Sequence, residues 1–238
     1  MNSAMFLSGQ RSYFEGSYDQ FKTFGGPSVH FHLECLRVGR KEFLSDRHIE
    51  LLYATLTAWG LHRMGDDKKT KAKLTDWDVF RGSLLVKAND LQQLREFSLL
   101  EMSESSYSRL IEQMRPCYES LKLSKSESTI VVNSKALHHL LPNLISPIDR
   151  QYTVRFFEQL PDKWRGSKGK FRAIQLPAER DAQFKKFCEI CSKIKRLCDR
   201  VEPALFDEQL LHNRVSAPKA VDNAIVNFVR TVSKQSIA

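Results

Sequence analysis

The sequence predicts an all-α fold, built as a compact bundle of many helices. Apolar residues recur at helical spacing along most of the chain, and two stretches show this most clearly. One stripe consists of Ile49, Leu52, Tyr53, Leu56 and Trp59. A longer stripe runs from Phe184 to Val201. The third observation is that capping residues, glycines and prolines stand where such stripes start and stop.

Each predicted helix has a start or stop signal. Ser45 or Asp46 is placed to cap the first clear helix, and Gly60 is placed to end it. A capping-box-like start at Thr75 opens the next helical pattern. The predicted helices are, in order, Arg47 to Gly60, Trp77 to Phe97 with a break near Asn89, Ser103 to Leu121 with a kink at Pro116, Pro177 to Glu202, and a last one from Pro218.

The stretch from Asn133 to Phe157 predicts two short helices that are interrupted at one acidic residue. Ser134 is expected to cap the first helix and Pro142 to stop it. Pro147 keeps the connection extended, since proline fixes its own φ and restricts the residue before it. Asp149 then stands at the start of the second helix.

Two interpretations of Asp149 follow from this position. In the first it is only a helix cap, because a carboxylate there accepts hydrogen bonds from free N–H groups at the positive end of the helix dipole. In the second it is a catalytic aspartate that is flanked by basic side chains, which are Lys135, His138, His139, Arg150 and Arg155. The sequence leaves both interpretations open.

Composition describes an ordinary globular protein. The chain has 238 residues, of which 42% are hydrophobic and 27% charged, so we expect a single helical domain spanning residues 1–238. Lobes 1–125 and 126–238 around a cleft are an alternative organisation of that domain. We find no apolar run of the ~20 residues that cross a bilayer and no signal peptide pattern. Five cysteines is an odd number for a disulfide framework. This favours a reduced, cytoplasmic location.

The net charge of +9 and the pI of about 9.3 favour a polyanionic partner, most simply nucleic acid. The alternative is a basic surface that serves solubility. Two basic segments would supply phosphate contacts, one at residues 66–73 and one at 165–170. They contain Lys68, Lys69, Lys71, Lys168 and Lys170.

We expect no metal and no other cofactor. His30 and His32 have the spacing of ligands on a strand, but a metal site would need further ligands nearby, so packed or exposed histidines are the preferred interpretation. Three cysteines, Cys188, Cys191 and Cys198, lie on an apolar helical stripe without a fourth to complete an iron–sulfur set. The basic glycine-containing segment at 165–170 lacks the spacing of a nucleotide-binding phosphate loop.

Two stretches resemble known proteins. Residues Ala58 to Gly65, and Ser134 to His138 with Pro147 to Arg150, resemble a widespread bacterial protein family without an assigned function. With Lys219 to Ile225, the similarity spans most of the chain. More distantly, the layout resembles the helix-hairpin-helix superfamily of DNA glycosylases, which are all-helical and place a catalytic Asp at a helix start. The hairpin's Gly-x-Gly turn is absent before Asp149, and Lys135 is closer to Asp149 in sequence than the Schiff-base lysine of those enzymes.

The resemblance implies a base-excision enzyme that binds duplex DNA as a monomer and flips a normal or modified base, such as a phage-type base, into a pocket. It implies Asp149 and Lys135 as catalytic residues. The base pocket would comprise Trp59, Tyr53, His62, Tyr152 and His138. Phosphate contacts would come from Arg63, Lys68, Lys69, Lys71, Arg150, Arg155, Lys168 and Lys170.

Two alternatives belong to other functional classes. The chain could be a non-catalytic nucleic-acid-binding module in which Asp149 is only a cap. It could also be a nucleotide- or protein-binding adaptor that uses the turn around Trp59. A cleft that joins Asp149 to Trp59 would favour the enzyme, whereas an Asp149 bonded only to its own helix start would favour the module.

Overall fold

Helices form nearly all of the regular structure. The computed structural model describes residues 1–23, 26–62, 73–126, 129–164, 171–207 and 215–235. Within these ranges an isolated antiparallel bridge joins Leu74 and Ser124, and no strand is formed. The predicted all-α class is therefore confirmed.

The longer helices alternate with short helical turns. The helices are α1 (Asn2–Ser8), α2 (Gln10–Thr23), α3 (Pro27–Lys41), α4 (Asp46–Leu56), α5 (Trp77–Leu85), α6 (Ala88–Leu94), α7 (Glu104–Gln113), α8 (Arg115–Ser120), α9 (Ile130–Leu140), α10 (Arg155–Glu158), α11 (Arg180–Cys198) and α12 (Ala217–Gln235). Two π-helical turns, Thr57–Leu61 and Arg150–Val154, extend α4 and precede α10. Two 3₁₀ turns, Leu99–Glu101 and Pro161–Lys163, and a helical turn at 203–207 complete the set.

Helix α9 is buried on almost every side. Ten of its residues are buried, and only Val131 is partly exposed. It packs against α3, α4 and α11. A helix that is enclosed in this way carries its polar side chains into the interior, where they need partners. Those side chains include Lys135, His138 and His139.

An aromatic cluster joins the N-terminal helices to α12. Phe6 on α1 packs edge-on against Phe156 at 5.6 Å and against Phe228 at 5.9 Å between ring centroids. Phe14 on α2 also contacts Phe6, and α12 packs along α2. The sequence up to Gln20 reads as polar and mixed, and its helices were not predicted. The aromatic side chains explain why this segment packs onto the core, since each removes a large apolar area from water.

Several predicted boundaries are confirmed and others are shifted. Ser45 caps α4 by accepting a hydrogen bond from the His48 N–H at 3.2 Å, and Ser103 caps α7 in the same way. Gly60 lies in the last π-helical turn with φ of 77°, a left-handed conformation that favours glycine. The break in the second pattern falls at 86–87, before the predicted Asn89. Helix α11 starts at Arg180 and ends at Cys198, inside the predicted limits.

The predicted cap at Ser134 is wrong. Helix α9 begins at Ile130, because the apolar run Ile130 to Val132 continues the helix backwards by one turn. Ser134 is therefore a buried residue in mid-helix. Its hydroxyl donates to the Val131 carbonyl at 3.2 Å and accepts from the Ile148 N–H at 3.1 Å. Ser134 thus fastens α9 to the segment that leads into Asp149.

None of the described helices combines the length and the apolar composition that a bilayer crossing requires.

Arg155, expected as a phosphate contact, is instead a structural residue. It is 1% exposed, and its guanidinium stacks over the Phe171 ring at 4.6 Å. The N–H groups donate to four oxygens, which are the carbonyls of Gln151, Trp164 and Arg172 and the side chain of Gln159. Because the guanidinium is buried and bonded to internal oxygens, Arg155 does not present its charge at the surface. The prediction that Arg155 contacts a phosphate is therefore wrong.

We predict that Arg155→Lys lowers the free energy of unfolding by about 3 kcal/mol, because an ammonium group cannot span the acceptors that the planar guanidinium reaches. Urea denaturation would measure the change. Arg150→Lys is the matched control, since Arg150 is exposed and its substitution should change stability by less than about 0.5 kcal/mol. Equal effects of the two substitutions would contradict a structural role for Arg155.

Candidate functional site

Trp59 is the centre around which the predicted site residues gather. It lies in the π-helical turn at the end of α4, and its indole N–H donates to the carbonyl of Ser28 at 3.1 Å. This bond ties the turn to the start of α3. The indole ring is partly exposed and contacts His139 at 4.8 Å and His32 at 5.4 Å between ring centroids.

Lys135 and Asp149, the two predicted catalytic residues, lie together beside Trp59. The Lys135 Nζ is 3.5 Å from Asp149 Oδ2 and 5.5 Å from the centre of the Trp59 ring. The Lys135 side chain is 11% exposed and that of Asp149 is 33% exposed. An amine that is largely buried therefore meets a carboxylate that solvent can still reach.

The backbone around Asp149 is fixed by bonds on both sides. Asp149 Oδ1 accepts from the Gln151 N–H at 2.7 Å, which is the capping bond that the sequence predicts. The Asp149 N–H donates to Thr153 Oγ1 at 3.1 Å, and the preceding Ile148 is held by Ser134. Asp149 is therefore a helix cap through one oxygen and a partner of Lys135 through the other.

A second lysine–aspartate pair lies on the other side of the same network. Lys219 and Asp222, on the first turns of α12, are 2.6 Å apart, with side chains 12% and 7% exposed. Lys219 Nζ lies 5.1 Å from the centre of the Trp59 ring. Thr153 Oγ1 donates to Asp222 Oδ1 at 3.4 Å and so connects the two pairs.

Sequence reasoning missed this second pair as part of the site. The i, i+3 spacing of Lys219 and Asp222 on a predicted helix is a signal for an ion pair. Nothing in it indicates that the pair faces Trp59, which is 160 residues earlier in the numbering. The contact depends on the packing of α12.

Three histidines form a buried layer next to Trp59. His32 Nδ1 and His139 Nε2 are 2.9 Å apart, and His138 stacks near-parallel to His32 with centroids 5.9 Å apart. His138 is 0% exposed, His32 1% and His139 2%. His138 is therefore an interior residue, and its predicted place on an accessible base pocket is wrong.

The hydrogen bonds assign the protons of this layer. His139 Nδ1 donates to the carbonyl of Lys135 at 2.7 Å, so its Nε2 is an acceptor and His32 Nδ1 must donate to it. His138 Nδ1 donates to the Ile145 carbonyl at 2.8 Å. The Nε2 atoms of His32 and His138 are then unprotonated acceptors, and both are buried without a partner among the residues that the structure describes.

Burial keeps these imidazoles neutral. Desolvation, followed by neighbouring histidines and Lys219, holds the pKa of His32 and of His138 well below the usual value of 6.5. Desolvation is also the main cause that lowers the pKa of His139, to about 3. The layer contributes hydrogen-bond acceptors to the site and adds no positive charge to that of the two lysines.

The remaining predicted site residues are more scattered. Tyr53 packs on Trp77 and Phe80 and donates its hydroxyl proton to the Thr75 carbonyl at 3.0 Å. Tyr152 is partly exposed and stacks beneath the Arg230 guanidinium at 5.3 Å. His62 has a buried Nδ1 without a partner in the described part of the chain, and Arg150 is exposed. The predicted phosphate contacts Arg63, Lys68, Lys69, Lys71, Lys168 and Lys170 lie outside the described residues.

The cysteines of α11 are placed as the apolar stripe predicts. Cys191 and Cys198 are buried, and Cys188 packs partly exposed against the core. Burial raises the pKa of the Cys198 thiol to about 12, which disfavours the thiolate that metals bind. In the part of the chain that is described, no three or more His, Cys, Asp or Glu side chains are grouped to hold a metal ion.

The arrangement has the parts of an amine–carboxylate site. Two lysine side chains, each with its own aspartate, approach one indole ring, and cation–π attraction holds the ammonium groups close to it. The carboxylate of Asp149 can accept a proton from the Lys135 amine or from a water molecule. The indole offers a flat apolar surface to a planar group.

We predict that stability falls as pH drops below 6.5. The pKa values of the buried histidines are depressed in the folded protein, so the unfolded chain binds more protons at acid pH. The contribution of each histidine to the free energy of unfolding is fully present above pH 6.5, the pKa of histidine in the unfolded chain. It is lost on acidification, by up to about 2 kcal/mol per histidine at pH 5. Urea titrations between pH 7.5 and 5.0 would measure this loss.

His48 provides a matched variant for that experiment. Burial lowers its pKa to about 4, and its Nδ1 accepts from the Leu44 N–H at 3.1 Å. The amide oxygen of His48→Asn can accept the same bond, so this variant should fold. At acid pH its unfolding should take up about one proton fewer than unfolding of the wild type. His30→Gln removes an exposed histidine and is the control. A stability that is constant from pH 7.5 to 5.0 would contradict the neutral histidine layer.

No family model, curated protein or solved structure matches this chain. The geometry of the Trp59 site and the charge of the chain are therefore the basis for a functional proposal.

Proposed function

We propose that the protein is a base-excision enzyme that cleaves the N-glycosidic bond of a flipped base in DNA. The observation that carries the proposal is the contact between Lys135 Nζ and Asp149 Oδ2 at 3.5 Å, beside the partly exposed ring of Trp59. An amine and a carboxylate next to an aromatic surface are the groups that such a reaction uses. The distant resemblance to helix-hairpin-helix DNA glycosylases supports the same assignment.

Asp149 stabilises the charge that develops during cleavage. The sugar becomes oxocarbenium-like as the bond to the base breaks, and a carboxylate nearby lowers the energy of that state. In a hydrolytic reaction Asp149 accepts one proton of a water molecule, the water oxygen bonds to C1′, and the base leaves with the bonding electron pair and then takes that proton from Asp149. The product is an abasic sugar with a hydroxyl at C1′.

Lys135 offers a second route through its amine. A bond from Nζ to C1′ replaces the bond to the base, which leaves with the electron pair and takes one amine proton. The other amine proton moves to the ring oxygen as the sugar opens, and an imine remains between Nζ and C1′. The same carboxylate accepts and returns these protons. The two routes differ in whether a covalent complex forms.

DNA binding follows from charge and from the aromatic surface. The net charge of +9 favours a nucleic acid, and the exposed Arg150 next to Asp149 is available to a flanking phosphate. A base that leaves the duplex gains stacking on aromatic side chains. Trp59 and the partly exposed Tyr152 are the candidates for that contact.

A non-catalytic DNA-binding module is the second candidate. The observation that favours it is the bond from the Gln151 N–H to Asp149 Oδ1 at 2.7 Å, since a capping role explains this oxygen completely. In that case the pair with Lys135 only neutralises a buried amine. The two candidates share DNA binding and differ in base release.

We predict that the protein binds a 20-base-pair duplex with a Kd of about 1 μM or lower at 50 mM KCl. Binding should weaken on the order of a hundredfold at 200 mM KCl, because about four phosphate contacts would release as many counterions. Fluorescence anisotropy with a labelled duplex would measure both values. No binding at low salt, or a Kd that does not change with the KCl concentration, would rule out both DNA-based candidates.

We predict that Asp149→Asn abolishes base release and leaves DNA affinity and folding nearly intact. Asparagine caps helices as well as aspartate does, so the bond from the Gln151 N–H should persist. Loss of the charge beside the largely buried Lys135 should lower the free energy of unfolding by about 1–3 kcal/mol. The charge that stabilises the sugar cation is lost, and the rate should fall by about a hundredfold or more. Duplexes with normal and modified bases, treated with alkali, would reveal abasic sites.

Asp78→Asn is the matched control, because Asp78 is an exposed acid in the first turn of α5. Lys135→Ala separates the two chemical routes. Borohydride would trap an imine on the wild type but not on this variant if the amine is the nucleophile. Base release by Asp149→Asn at the wild-type rate would show that Asp149 is only a cap.

A further inference from the structure

A cavity of about 420 Å³ lies at the opposite end of α9 from Ile130, where four segments meet. Its walls come from the last turns of α3, the segment after α6, the turn that follows α9, and the residues that precede α12. The polar and charged residues that contribute to it include Arg40, Arg95, Asn143 and Ser216. His139 also lines it, and so the cavity adjoins the histidine layer of the Trp59 site.

The charge around this cavity is positive. Arg40 and Arg95 both line it, and no acidic side chain is among the described residues that do so. Arg95 is held in place, since its guanidinium stacks over Phe43 at 4.4 Å and donates to the carbonyl of Gly39 at 3.1 Å. Arg40 is exposed and forms no ion pair with any described residue. Its charge is available to a ligand.

The start of α12 adds a second positive element. The Ser216 carbonyl accepts from the N–H groups of Lys219 and Ala220, at 3.0 and 2.9 Å, so Ser216 is the residue that opens this 19-residue helix. Pro218 has no N–H group, and those of Lys219 and Ala220 already donate to Ser216. The first turn therefore offers a ligand the Ala217 N–H and the positive end of the helix dipole. The Ser146 hydroxyl donates to the Pro218 carbonyl at 3.0 Å, which anchors this first turn.

Ser216 itself points to a missing ligand. Residue 216 is 9% exposed, and its hydroxyl is buried without a hydrogen-bond partner among the described residues although it lines the cavity. A serine that opens a helix ordinarily uses its side chain to bond the first turn. A buried hydroxyl without any bond is costly unless a group outside the chain completes it.

We propose that this cavity binds a phosphate group through Arg40, Arg95, the Ser216 hydroxyl and the start of α12. Guanidinium groups and a helix N-terminus are the donors that proteins use for phosphate. The volume lies within the range of small-molecule sites and exceeds that of a bare anion, so there is room for the organic group that carries the phosphate. The phosphate belongs either to a free mononucleotide or to a DNA backbone.

The site does not depend on base excision. It uses none of Trp59, Lys135 or Asp149, and it would remain if those residues had no catalytic role. It does lie near them, since Ser216 and Lys219 share the first turn of α12. A backbone phosphate bound here would place one strand of DNA next to the Trp59 site.

Two substitutions and one control test the proposal. Arg40→Gln removes an exposed charge, and Ser216→Ala removes a hydroxyl that has no internal partner, so both variants should fold with an unchanged melting temperature. Arg109→Gln is the control, because Arg109 is an exposed arginine on α7 and its loss changes the net charge equally. Titration calorimetry would measure adenosine monophosphate binding with inorganic phosphate as competitor, and anisotropy would measure duplex binding.

We expect Arg40→Gln to weaken binding of the phosphate-bearing probe by about tenfold, the effect of losing one charge-assisted hydrogen bond. Ser216→Ala should weaken it severalfold and Arg109→Gln by less than about twofold. A loss seen with adenosine monophosphate and relieved by phosphate competition supports a free nucleotide, and a loss confined to duplex DNA supports a backbone phosphate. The proposal is overturned if neither probe binds, or if Arg40→Gln and Arg109→Gln behave alike with both. Base release is not a readout, so failure here is independent of catalysis.

Discussion

The enclosure of helix α9 is the constraint on which the rest of the structure depends. A helix that is buried on nearly every side cannot send its polar side chains to water, so most of their polar atoms bond to partners in the interior. Lys135 meets Asp149, His139 donates to the Lys135 carbonyl and accepts from His32, and Ser134 bonds to Ile148. These bonds bring α3 and the segment before Asp149 into fixed positions around α9. The candidate site therefore results from the partners that the buried polar side chains of α9 require.

The electrostatics of the Trp59 site follow from the same enclosure. Two lysines approach one indole ring, and each is balanced by its own aspartate through a network that Thr153 connects. The neighbouring histidines stay neutral because desolvation and the lysine charges both oppose their protonation. Without that neutrality, up to three further positive charges would repel Lys135 and Lys219. The neutral imidazoles thus allow two amines to lie close together in a largely dry setting.

Helix α12 connects the two sites that we propose. Its first turn carries Ser216 towards the phosphate cavity and Lys219 towards Trp59, and its later turns pack on α2 through the aromatic cluster. The aromatic packing sets the position of the whole helix, so both sites share one rigid support. Arg155 has a related structural role, because its four hydrogen bonds join α10 to Trp164 and Arg172, among other residues. A site on rigid elements keeps its donors and acceptors in fixed positions.

The sequence by itself determined the helical class, most helix positions, the cap at Asp149, and the apolar placement of the α11 cysteines, because these depend on local spacing and on chemistry within one turn. It also singled out Trp59, Lys135 and Asp149, since unusual residues cluster near predicted helix ends. It could not place Lys219, Asp222 or His32 beside Trp59, and it assigned Arg155 to the surface and Ser134 to a cap. Those outcomes depend on how distant segments pack. The alternation of polar and apolar residues shows which face of a helix is buried, but only the tertiary structure decides what that face meets.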